Sequence, residues 1–294
     1  MRWNELRFTM RATSSTTVLL VALLLLSSTA GCLGTEGADE DKNPITMNVH
    51  YPETSGTLTE RIQNNAVLSQ TGVELSFDFA RVVSNAGLME TFTLDPGDDD
   101  DGSNAVTVNA NEEAEITYTY LTHGLFTAVL SATDERGNEA SMSLLIRIDK
   151  EIDWTQTNTD EPSAMTISTL PDCECDSPEK ISLESTITNP NELVPGTQVT
   201  VTWHLNDPEE EEQAFHTEQI GDGQEASWTH SQYNVGSGDW SLGVTIDAGN
   251  DSINIHHVVR ILYEEVESEP NPLAMEGTDE NTASLSLLRN QNEK

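Results

Sequence analysis

The pattern that most constrains this chain is alternation. Val73-Glu-Leu-Ser-Phe-Asp-Phe79 switches between apolar and polar at every residue, and Ile116-Thr-Tyr-Thr-Tyr120 does the same. Phe126, Ala128, Leu130 and Ala132 fall on one face of the next run, and Met142, Leu144, Ile146 and Ile148 on one face of the run after it. Side chains two apart on an extended chain point the same way, so this period marks strands with one buried face. Helical spacing is scarce past residue 43. The expected fold class is all-β, with half-buried strands packed as sandwiches.

The alternation also repeats. HGLFTAVLSATDERGNEASMSLLIRI (123–148) and SGDWSLGVTIDAGNDSINIHHVVRI (237–261) share a layout: glycine, an aromatic two residues on, alternating apolars, an Asp before a Gly-Asn turn, and a second run ending Arg-Ile. Phe126 matches Trp240, Asp134 matches Asp247, and Arg147-Ile148 matches Arg260-Ile261. A repeat of domain length predicts two copies of one module strung like beads, each closing with a hairpin. The expected divisions are a first domain at 44–150, a polar linker at 151–162 ending in Pro162, a second domain at 163–265, and a tail at 266–294 poor in core residues and expected to be disordered.

The first copy carries a resemblance. Tyr118-Thr-Tyr120, Gly124-Leu-Phe126 and Asp134-Glu-Arg-Gly-Asn138 together resemble the C-terminal half of a polycystic-kidney-disease (PKD) repeat. The resemblance spans 44–150 loosely and 114–148 closely, and implies an immunoglobulin-like sandwich. One motif departs from it. Where the family carries Trp-Asp-Phe-Gly-Asp-Gly, this chain has Phe92-Thr-Leu-Asp-Pro-Gly-Asp98, with the Trp missing and Gly97-Asp98 kept. The second copy is Ig-like only.

The first residues read as an export signal. Arg2, Arg7 and Arg11 precede nine apolar residues, Val18 to Leu26, and a small-residue stretch ends at Cys32. Nine residues fall short of the ~20 that span a bilayer, and suit the apolar region of a signal peptide over 1–31. Thr29-Ala-Gly-Cys32 resembles the lipobox of prokaryotic lipoproteins, although Thr stands where Leu is commonest. That resemblance implies a lipid on the Cys32 thiol, an acidic tether over 32–43, and a protein held by its lipid at the outer face of the cytoplasmic membrane or envelope.

Fifty-one acidic residues against thirteen basic give a formal charge of −38. Such a chain repels nucleic acid, which is excluded as a partner. It also repels itself, and salt relieves this because the Debye length falls to about 3 Å at 1 M. A saline setting is expected.

Candidate chemistry centres on Asp95-Pro-Gly-Asp-Asp-Asp-Asp-Gly-Ser-Asn104, which gathers Asp95, Asp98, Asp99, Asp100 and Asp101. Aligned as an EF-hand on Gly102, it puts Gly97 at the first ligand position and Val108 at the twelfth, so it is no EF-hand. Two readings stay open: a weak Ca²⁺ site, the one cofactor the sequence offers, and a solvated turn. Cys173-Glu-Cys175, in an exported chain whose Cys32 is consumed by lipid, points first to a local disulfide, then to free thiols or intermolecular bridges, and last to zinc. Asn250-Asp-Ser252 is the single N-glycosylation sequon, placed in the second hairpin's turn. Trp203, Trp228, Trp240, Phe126, Tyr118 and His257 sit on strand patterns as core residues. No Gly-x-Ser-x-Gly elbow, His-Glu-x-x-His or phosphate loop is present.

The sequence therefore predicts no enzyme. It predicts a lipid-anchored surface protein whose modules serve adhesion, bind protein or glycan, or space the envelope. The alternative is a solute-binding or enzyme-accessory lipoprotein with a ligand cleft between its domains. Binding partner and oligomeric state are left open.

Overall fold

The computed structural model of the protein describes residues 43–99, 102–170, 175–191 and 197–264. All regular elements among them are strands: β1 Ile45–Thr46, β2 Ser55–Gln63, β3 Ala66–Thr71, β4 Val73–Asp78, β5 Val83–Ser84, β6 Met89–Asp95, β7 Val106–Asn109, β8 Glu115–Tyr120, β9 Gly124–Asp134 and β10 Glu139–Thr159. They continue with β11 Met165–Ser168, β12 Lys180–Thr188, β13 Val199–Asn206, β14 Glu212–Ile220, β15 Glu225–Tyr233, β16 Asp239–Ala248 and β17 Ile253–Leu262. The fold is all-β, as the alternation requires. In β4 the buried residues are Val73, Leu75 and Phe77, and in β9 they include Phe126, Ala128, Leu130 and Ala132. The signal region, tether and tail read from the sequence lie outside the described residues.

Two apolar cores result. The first packs Phe77, Phe79 and Ile116 against Phe92, Phe126 and Ile146, joining the β4–β8 pair to a sheet ordered β10–β9–β6–β7. The second packs Trp203, Trp240 and Leu242 against Trp154, Ile187 and Ile261, joining the sheet β11–β16–β13–β14 to β15–β12–β17–β10. β10 belongs to both.

That double membership corrects the expected linker. Residues 151–159 are strand, the second half of a 21-residue β10 spanning roughly 70 Å. Arg147 and Ile148 pair with both β9 and β2, so those two strands flank opposite edges of β10. Lys150 to Thr155 pair with both β2 and β17, again on opposite edges. One edge of β10 therefore carries β9 and then β17, while the other carries β2 across the join. The two sandwiches share a hydrogen-bonded ladder and are not beads. The physical reason lies in Ile152 and Trp154, which face the second core while Glu151 and Asp153 face outward. A strand with so many polar residues on its outer face reads as a linker by composition alone.

β2 and β3 form a second tie. They are joined by Asn64 and Asn65 at φ 46° and 61°, the left-handed pair that a two-residue hairpin turn demands. Along β2, Leu58 enters the first core, Ile62 packs on the second, and Glu60 between them meets Lys150 at 2.7 Å. Trp154 donates its indole N–H to the Asn65 side chain at 3.2 Å, fixing the hairpin tip to the second sandwich.

The second expected hairpin is absent. β9 and β10 pair along ten residues as anticipated, but β16 and β17 lie in different sheets. The Gly249–Ser252 segment is a crossover from one face of the sandwich to the other, so Asn250, although exposed, does not sit in a hairpin turn. The matched aspartates differ accordingly. Asp134 is fully buried, whereas Asp247 is exposed and accepts from the Thr202 and Thr245 hydroxyls.

Candidate functional site

The acidic turn is folded upon itself. Asp95 accepts from the Gly97 N–H. Asp98 accepts from the Asn104 side-chain amide and, at 2.6 Å, from the Tyr118 hydroxyl. Asp99 accepts from the Gly102 N–H, the Ser103 hydroxyl and the Asn104 N–H. Some burial works against its charge, but these hydrogen bonds hold the Asp99 carboxyl below the usual range. Tyr118 is pushed up by burial and by its bond to Asp98. Gly97 is required: its φ is 71°, and a Cβ there would strike the backbone carbonyl of Thr127 in β9. Among the described residues no three His, Cys, Asp or Glu side chains are grouped to hold a metal ion. Asp100 and Asp101 lie outside the described residues, as do Cys32 and Cys173; Cys175 is disulfide-bonded.

Two buried polar groups have the residue types of a catalytic site. Ser185 Oγ lies 2.8 Å from His257 Nδ1 and accepts from the Trp203 indole N–H at 2.6 Å. A serine beside a histidine is a nucleophile–base geometry, but both residues are sealed in the second core. Burial, and then the neighbouring His256, push the His257 imidazole down to about 3. The imidazole stacks on the Trp154 indole at 5.0 Å, and its Nε2 is buried with no hydrogen-bond partner among the described residues. Asp134 is the other case. It closes the β9–β10 turn by accepting from Ser84, from the Asn138 side chain and from the Arg136 and Asn138 N–H groups. The Ser84 hydroxyl and then Asn138 hold its carboxyl down at about 2, against the opposing effect of burial.

Accessible chemistry gathers in two clefts. One, of about 350 Å³, lies at an end of the second sandwich, where the β13–β14 loop meets the β15–β16 loop. Its walls carry Asp207, Gln213, Gln232, Tyr233, Asn234 and Trp240. Tyr233 is 52% exposed, while Trp240 is buried and donates to the Gly236 carbonyl at 3.0 Å. Gln213 donates to Asp207 at 2.6 Å, and the other oxygen of Asp207 accepts from the Glu209 and Glu211 N–H groups, fixing that loop. Gly238, at φ 146°, lets the opposite loop close on Pro208; a Cβ there would sit 2.7 Å from the proline ring. Elsewhere in the second sandwich, Trp228 is stacked between His216 at 6.3 Å and His230 at 5.6 Å.

The other cleft, of about 430 Å³, lies at the join of the two sandwiches, lined by Arg147, Asp149, Glu179, Lys180, Tyr263 and Glu264. The Tyr263 N–H donates to Asp149 at 2.9 Å, and its hydroxyl meets His123 Nδ1 at 2.9 Å. Burial and then the Asp149 charge push the Tyr263 hydroxyl up.

Sequence reasoning places Trp203, Trp228, Trp240, Phe126 and His257 correctly in the cores. It misses Tyr233. The signal was present: in Glu225–Tyr233 the inward positions are Trp228 and His230, so Tyr233 falls on the opposite parity.

No family model matches the chain, and no curated protein does. Solved β-sandwich structures are similar to it. A carbohydrate-binding module of the β-sandwich superfamily matches at 12% identity over 72% of this chain and 95% of that one, with a TM-score of 0.28. A structure of CBM51-2 with GlcNAc and INT domains, from Clostridium perfringens ZmpB, matches at 16% identity over 54% of this chain and 44% of that one, TM-score 0.20. SGBP-B of the mixed-linkage glucan utilization locus of Bacteroides ovatus matches at 10% identity over 69% and 52%, TM-score 0.16. The chain thus spans about half or less of the last two. TM-scores this low carry no inference about what it binds.

Proposed function

We propose that this chain is a non-catalytic, lipid-anchored surface protein whose second sandwich binds glycan at the Tyr233 cleft. The observation that carries the reading is one exposed tyrosine beside three side-chain amides and the carboxylates of Asp207 and Glu209, in a cleft of about 350 Å³. A sugar offers C–H faces that pack on an aromatic ring and hydroxyls that both donate and accept. Amides supply both roles, and Asp207 accepts only. Loops held by Asp207 and Gly238 keep the cleft pre-formed, which lowers the entropy lost on binding. The −38 charge favours neutral glycans over acidic ones. Burial of the Ser185–His257 pair supports the non-catalytic part. The lipid anchor rests on the run of basic, apolar and small residues ending at Cys32, and the PKD-like assignment of the first sandwich on residues 114–148.

The test is a screen of residues 33–265, without lipid, against neutral and acidic glycans, followed by calorimetry. Tyr233→Ala is expected to weaken binding about tenfold, roughly 1.4 kcal/mol, with little change in melting temperature because the ring is exposed. A protein that binds no neutral glycan, or a variant that binds as the parent does, refutes the reading.

The join cleft favours a second reading, a solute-binding protein. Arg147 and Lys180 stand beside Asp149, Glu179 and Glu264, a mixed set that suits a zwitterion such as an amino acid. A thermal-shift screen of amino acids, with Glu264→Ala, at a residue of the join cleft alone, as control, separates it from the first.

A further inference from the structure

We propose that the chain associates with a second copy of itself through antiparallel pairing of the two β3 edges. Among the described residues β3 pairs only with β2, so its outer row of backbone N–H and C=O groups faces away from the sheet. All six of its residues are exposed, including Val67 at 59% and Leu68 at 58%. Leu121, 62% exposed, lies against Gly72 just past the end of β3, and its carbonyl accepts from the Gln70 side chain at 2.9 Å.

Edge strands are ordinarily guarded by charge, proline or shortness. The other edges of the sheets follow that rule. β7 and β11 have four residues each, β14 carries Glu212 and Glu218, and β15 carries Glu225. β3 carries none of these three guards, and its one irregularity is a bulge at Leu68, opposite Arg61 and Ile62 of β2. From Ile62 to Val73 the chain holds no charge and no proline. The hairpin is also ordered in advance, through Asn65 on Trp154 at the turn and Gln70 on Leu121 at the far end. Little freedom is left to lose on pairing.

The charge selects the occupant. Two chains of −38 each can approach only where no carboxylates face each other, and this edge is such a place. An antiparallel strand paired with its own copy is a two-fold contact that closes at two.

The test is sedimentation equilibrium of the chain at 0.1 M and 1 M NaCl. The dimer is expected to strengthen with salt, because the Debye length falls from about 10 Å to about 3 Å and repulsion is screened. Val67→Glu with Leu68→Glu is expected to raise the dimer Kd at least about tenfold while keeping the melting temperature, since both side chains are exposed. Phe215→Glu, at an exposed apolar residue far from this edge, should leave the dimer intact. A chain still monomeric at 1 M salt and about 100 μM overturns the proposal, as does a dimer that weakens with salt or one broken by Phe215→Glu in place of the edge variant.

Discussion

At the residue scale, polar groups inside this protein are placed by what they bond, not by what they catalyse. His257 fills the second core as a neutral ring, bonded to Ser185 and stacked on Trp154. Its folded value of about 3 lies below the ordinary 6.5. Between those values the unfolded chain binds a proton that the folded chain refuses, so stability falls as pH drops through 6.5 toward 3. Urea unfolding at pH 7 and pH 5 should show a loss of about 2 kcal/mol from this group, and His257→Leu should remove most of that slope. An equal slope in the variant assigns it elsewhere. Asp134 acts lower, its contribution being lost only as pH falls from near 4 toward 2. The aspartate of the D-x-x-G-N turn was legible in the sequence because its role is local, with Asn138 four residues away. Its bond to Ser84, fifty residues away, was not.

At the element scale, β10 decides the architecture. It carries inward residues for one core at Ile146 and Ile148 and for the other at Ile152 and Trp154. Between them Lys150 meets Glu60 at 2.7 Å, with both side chains largely buried. Breaking such a pair leaves a poorly hydrated charge behind. Glu60→Ala is expected to cost about 1–3 kcal/mol, and a double-mutant cycle with Lys150→Ala to return a coupling near 1 kcal/mol. A coupling indistinguishable from zero would mean that the ion pair adds nothing to the join. Outward from the same strand, Glu151 and Asp153 bind Arg260 and Arg61 on the neighbouring strands. These charges made residues 151–162 look like a linker in the sequence. Alternation identifies a strand but not its neighbour, so the β9–β10 hairpin and the β16–β17 crossover were indistinguishable in sequence although their repeats match.

At the scale of the whole molecule, two sandwiches are bound by one through-running strand and one hairpin, in a chain whose charge opposes compaction. Screening should therefore stabilise it. The melting temperature is expected to rise by about 5 °C or more between 0.1 M and 1 M NaCl, and a flat response would show that the ion pairs of the join already offset the repulsion. By itself the sequence determined the strand class, most of the core residues and the turn chemistry at Asp134 and Gly97, because these depend on side-chain parity and on neighbours a few residues away. Only the tertiary structure decided that 151–159 fuses the two cores, that β3 is an uncharged edge, and that Tyr233 stands beside Asp207, Gln213 and Trp240. Those are meetings between distant segments, fixed by which backbone edges pair, and backbone edges are the same for every residue type.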